Sequence, residues 1–105
     1  MNQNKYTVNV SERAAKMLAS HAAFLAQVNI EAAERLVVSF EKAAGSLQVM
    51  PHRCSWLTGE YMPKNKYRAL VFENRYMIIF QIKDDTIYIE YILDSRQDQS
   101  WLTMS

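Results

Sequence analysis

"KYRALVFENRYMIIFQIKDDTIYIEYILDSRQD", Lys66 to Asp98, decides how the rest of the chain is read. Apolar and polar residues alternate through Lys66–Phe72, Arg75–Ile82 and Thr86–Leu93, separated only by "EN" and "KDD". A two-residue period in β-branched and aromatic side chains predicts strands, and connections this short predict antiparallel neighbours. The stretch is therefore a three-stranded meander. Its alternation puts Tyr76, Ile78, Phe80 and Ile82 on one face with Ile87, Ile89, Tyr91 and Leu93, and this face is expected to meet helices. The opposite face carries Arg75, Met77, Ile79 and Gln81 with Tyr88, Glu90, Ile92 and Asp94. That mixed composition suggests partial cover by something else.

Upstream of the meander, "KYTVNV", Lys5 to Val10, alternates as a half-buried strand. Ser11 supplies an N-cap and Glu12 suits the positive end of a helix. Ala14, Leu18, His21, Leu25 and Val28 then recur at helical steps, predicting a helix to about Val28. Asn29 is a second N-cap, followed by a stripe of Ala33, Leu36, Val37, Phe40 and Ala44 that Gly45 is expected to end. Two one-sided helices so closely joined form a hairpin, and a sheet is the surface they can cover. Ser46 to Lys66 contains Pro51, Gly59 and Pro63 and reads as a connection, with room for a short strand around Arg53 to Leu57. The expected fold is α+β: a strand, a two-helix hairpin and a three-stranded antiparallel meander, with the helices on one face of the sheet. A chain of 105 residues, half of them apolar, suits a single domain over 1–105.

Composition narrows function mainly by exclusion. The net charge is only +1, so a nucleic-acid contact requires a local basic cluster rather than a polycationic chain. No apolar run reaches the roughly 18 residues of a membrane span, and "MNQNKYTVNV" lacks a secretory h-region, so a cytoplasmic protein with no membrane partner is expected. Cys54 has no second cysteine to pair with. His52 and Cys54 stand two apart without further ligands nearby, which argues against zinc; no metal or cofactor is implied. His21 lies on the apolar stripe of the first helix and reads as a core or boundary histidine.

The element order and three local patterns resemble the RelE/ParE superfamily of bacterial toxins from type II toxin-antitoxin pairs. "NKYRALVF" is similar to the family's second strand with its Tyr-Arg start, and "NRYMIIFQI" to its pattern of a basic residue, Tyr and an apolar strand. "YILDSRQD" is similar to the ending of an apolar strand, a two-residue step, Arg, a polar residue and Asp. The resemblance implies a cognate antitoxin whose extended or helical tail packs on the toxin, commonly in an oligomeric complex. Such a partner is one account of the mixed sheet face; an ordinary, partly apolar surface is the other. It also implies one of two targets: the ribosome with its mRNA, cut by RelE-like members, or DNA gyrase, blocked by ParE-like members. A degenerate member that only binds an antitoxin is a third reading.

If the chain is a nuclease, the resemblance places its chemistry on cations. Metal-free RNA cleavage needs an activated 2′-hydroxyl, neutralised phosphate charge and a protonated leaving oxygen. Lys64, Lys66 and Arg68 fall at two-residue steps and would share a face if the strand began that early; Arg75 opens the next strand and Arg96 follows the last. Without the resemblance, Lys64 and Lys66 are solvated loop charges, and Arg68 and Arg75 guard a sheet edge or pair with Glu73 and Glu90. The nuclease pattern is also interrupted. Met77 holds the place of an arginine, Leu70 that of a lysine, and Asp94 rather than a histidine neighbours Arg96. Trp101 and Tyr91 are the aromatic candidates for stacking on a base, although Tyr91 suits the core by its phase and Trp101 suits packing of the tail. These losses favour gyrase inhibition over RNA cleavage.

Overall fold

The structure, a computed structural model, describes residues 5–59 and 62–96. Gln97, Asp98 and Trp101, which figured in the sequence reading, lie outside the described residues. The elements run β1 (Thr7–Val10), α1 (Glu12–Ala26), α2 (Ile30–Ser46), β2 (Arg68–Phe72), β3 (Tyr76–Lys83) and β4 (Thr86–Asp94). Both predicted caps are formed: Ser11 accepts from the Ala14 amide at 3.0 Å and Asn29 from that of Ala32 at 3.1 Å. Helix α1 stops at Ala26, short of the expected Val28, and that valine joins the turn. Helix α2 runs through Gly45 to Ser46, so glycine does not terminate it. Arg53 instead covers the end, donating from Nη1 to the carbonyls of Ser46, Val49 and Met50.

The sheet has the order β1-β4-β3-β2, with β1 parallel to β4 and the other pairs antiparallel. A parallel neighbour requires a long crossover, which the helical hairpin supplies. On the helix-facing side, Ile78, Phe80, Ile87, Ile89 and Ile92 are fully buried beneath Leu36, Phe40 and Ala14.

The predicted faces fail at one residue. Phe80 pairs with Ile89, but Ile79 pairs with Tyr91, leaving Glu90 as the extra residue of a β-bulge. A single inserted residue reverses the phase of everything beyond it. Tyr91 and Leu93 therefore turn to the far face with Tyr67 and Ile79, while Ile92 and Asp94 turn to the helix face. The far face is also partly covered by this chain itself. Leu57 and Met62 pack against that second cluster, held by bonds from the Leu57 amide to the Tyr67 carbonyl (2.7 Å) and from the Ala69 amide to that of Ser55 (3.1 Å). The short strand expected at Arg53 to Leu57 reduces to a 3₁₀ turn over Pro51–Arg53 and an isolated bridge between Trp56 and Arg68. Among the described residues no helix is long and apolar enough to cross a membrane.

Candidate functional site

Among the described residues, strand β1 pairs with the first half of β4, Thr86 to Ile89, and no strand lies beside Ile92 on the same edge. Helix α1 runs along that edge and meets it with side chains. Arg13 donates from Nε to the Glu90 carbonyl at 3.2 Å, and His21 from Nε2 to the Ile92 carbonyl at 2.9 Å. A carbonyl can only accept, so the Nε2 of His21 carries the proton. The ring of His21 also stands edge-on to Tyr76, with centroids 5.3 Å apart.

His21 and its neighbours on α1 form one wall of a cleft of about 480 Å³ between α1 and the ends of β3 and β4. Ser20, His21 and Phe24 line it from the helix; Arg75, Tyr76, Asp94 and Arg96 line it from the sheet. Asp94 reaches it because the bulge turns that residue to the helix side, where it pairs across the strands with Tyr76. The amide of Ser95 closes the end on the Arg75 carbonyl at 2.6 Å.

Asp94 is 7% exposed and accepts three bonds from Arg96: from the amide at 2.9 Å, Nε at 3.2 Å and Nη2 at 3.0 Å. The Arg96 side-chain bonds hold the carboxyl below the usual carboxylate value, outweighing the burial that opposes them; Arg75 adds a smaller pull in the same direction. Arg75 lies over the Tyr76 ring at 5.4 Å and donates to its hydroxyl at 3.4 Å.

Of the five proposed cations, the structure thus brings Arg75 and Arg96 together. Lys64 and Lys66 sit in a turn whose central Asn65 has φ 56°, so the strand starts only at Arg68 and the three do not share its face. Arg68 stacks on Trp56 at 3.8 Å and donates to the carbonyls of Cys54 (2.6 Å) and His52 (3.3 Å), tying the connection to the sheet edge. It faces Phe80 in the register, four residues along β3 from Tyr76, or about 13 Å at the usual strand rise. The acids considered as partners for Arg68 and Arg75 are engaged by other residues. Glu90 pairs with Arg13 at 3.6 Å and takes a bond from Gln81, while Glu73 accepts from Ser39 at 2.6 Å. Met77 packs in the far-face cluster and Leu70 against the main core, so both interrupted positions are structural.

The sequence reading missed His21 and Phe24 as cleft residues because their helix meets the sheet only in three dimensions. The Asp94–Arg96 pairing had a visible signal, an acid two residues from an arginine just past a strand. Cys54 is buried, and burial pushes its thiol pKa up, with Arg53 and Arg68 pulling weakly the other way; this is the environment of an inert thiol. Among the described residues, no group of three or more His, Cys, Asp or Glu is placed to hold a metal ion.

Comparison with known proteins gives this architecture relatives. Residues 8–99 match the family described as ParE toxin of type II toxin-antitoxin system, parDE. Among solved structures, the chromosomal ParDE TA system from P. aeruginosa is similar at 18% identity and a TM-score of 0.69, covering 88% of this chain and 98% of that one. The conserved hypothetical protein HP0894 from Helicobacter pylori is similar at 13% identity and a TM-score of 0.57, covering 88% and 97%. At these identities the two structures share a fold with this chain and nothing finer. No curated protein matches the sequence.

Proposed function

We propose that this chain, which belongs to the ParE toxin family of type II toxin-antitoxin systems, arrests growth by binding DNA gyrase and is held in check by a cognate antitoxin. The observation that supports gyrase over RNA is the dispersal of the cations. Cleavage needs several of them on one phosphate, whereas Lys64, Lys66 and Arg68 lie away from the cleft and the charge of Arg96 is offset by Asp94. Met77 and Leu70 are spent on packing. A binding mechanism makes no such demand.

A RelE-like ribonuclease is the second reading, favoured by one feature. His21 shares the cleft with Arg75 and Arg96 and is the kind of group that could move a proton. Its Nε2–H is engaged by the Ile92 carbonyl, which leaves Nδ1 for such a role. The two readings separate on induction without antitoxin. Under the gyrase reading, pulse-labelling shows DNA synthesis falling first while translation continues. Immediate translation arrest with messages cut on the ribosome supports the nuclease, and unaffected growth with soluble protein present removes both.

A further inference from the structure

We infer that residues 54–57 guard the β2 edge of the sheet, and that their release lets two copies of this chain join β2 to β2. The sheet order leaves β1 and β2 at the two edges. Strand β1 has only four residues, and so short an edge is a poor template for pairing. Strand β2 reads "RALVF", with β-branched and aromatic side chains and no acid, proline or glycine. Such a sequence pairs readily unless something covers it.

The guard is fastened at the groups a partner strand would use. Alternate residues of an antiparallel strand send their N–H and C=O outward, and here these are Tyr67, Ala69 and Val71. The Leu57 amide donates to the Tyr67 carbonyl at 2.7 Å and the Ala69 amide to the Ser55 carbonyl at 3.1 Å, on either side of the antiparallel bridge between Trp56 and Arg68. Arg68 locks the guard from the strand side, stacking on Trp56 at 3.8 Å and donating to the carbonyls of Cys54 and His52. The cover stops there. Val71, the next outward residue, is 56% exposed, and no backbone bond from the guard reaches it.

A second copy fits the edge once the guard is off. Laid antiparallel about a two-fold axis at Ala69, the outward groups of Tyr67, Ala69 and Val71 meet the same three residues of the other copy in reverse order. Arg68 then stands opposite Leu70, so the two arginines do not oppose one another across the axis. This inference is independent of what the chain does to gyrase.

The test is sedimentation velocity on the purified full-length protein, read as self-association that Val71→Pro abolishes. A proline is tolerated on an edge strand where the N–H faces solvent, so Val71→Pro removes an outward donor and leaves the fold standing. The wild type is expected to show no such association. Trp56→Ala/Leu57→Pro removes the stack and the donor to Tyr67; it is expected to dimerise at concentrations about tenfold or more below any association of the wild type, with a cooperative circular-dichroism melt retained. Adding Val71→Pro to it should return a monomer. A folded double variant that stays monomeric, a dimer that survives Val71→Pro, or a wild-type dimer that Val71→Pro dissolves would overturn the proposal. Should the double variant not fold, Arg68→Met, which frees Trp56 while leaving the guard's own residues intact, must give the same Val71→Pro-sensitive dimer; a monomer there overturns the proposal equally.

Discussion

Replacing Asp94 by Asn keeps the shape of the cleft floor and removes the negative charge that Asp94 places there. The asparagine oxygen can still accept from the Arg96 amide and Nε, but its amide nitrogen then faces Nη2, donor against donor, where Asp94 now accepts at 3.0 Å. A hydrogen bond to a charged group contributes about 1.5–3 kcal/mol. The guanidinium end is in water, with the Arg96 side chain 62% exposed, so only part of that value applies. Loss of the counter-charge between Arg75 and Arg96 adds a smaller cost, giving about 1.5 kcal/mol in total, or roughly 6–12 °C in Tm for a domain of this size.

Acid supplies the second arm. The native Asp94 carboxyl titrates below its ordinary value near 3.8, so its stabilisation is complete above that value and is lost as pH falls through the native pKa. Asparagine does not titrate. Thermal unfolding of the two proteins should therefore differ by a constant amount from neutral pH down to about pH 5, with the gap closing in stronger acid. Equal melting at pH 7, or a gap that ignores acid, would refute the account of this pair.

Three other outcomes follow from particular contacts. Gly45→Ala should stabilise the protein by about 1 kcal/mol in urea unfolding, because the glycine lies inside α2 and an added Cβ meets nothing within 4 Å. His21→Phe should cost about 1–2 kcal/mol in the same assay, since the Ile92 carbonyl loses the donor that His21 supplies. Deleting Glu90 removes the bulge but leaves Tyr91 opposite Ile79 and Leu93 opposite Met77, so both keep their faces; a cooperative melt is expected to survive, with a loss of about 1–2 kcal/mol from the contacts that Arg13 and Gln81 make with Glu90.

The three meander strands, the helical hairpin and both N-caps were legible because each rests on local period or local hydrogen bonding. The bulge was not. Tyr91, Ile92 and Leu93 are three apolar residues in a row, so either phase buries a large side chain and the pattern falls silent where the register shifts. The same kind of ambiguity misplaced the lysines. Lys64, Lys66 and Arg68 step like a strand, but Asn65, a residue tolerant of positive φ, turns the chain between them. Arg75 and Arg96 were identified as candidates from the ends of two strands. Their meeting with His21 and Phe24 depended on how α1 crosses the sheet edge, which no local pattern encodes.

Gyrase supercoiling measured with purified protein tests the central claim most directly. Relaxed plasmid, ATP and gyrase are incubated with the wild-type chain or with Lys64→Ala/Lys66→Ala, and ribosomes carrying a defined message are treated in parallel. The account predicts that both proteins inhibit supercoiling alike and leave the message whole. Undisturbed supercoiling together with a message cut on the ribosome, and cutting weakened by the lysine substitutions, would contradict it.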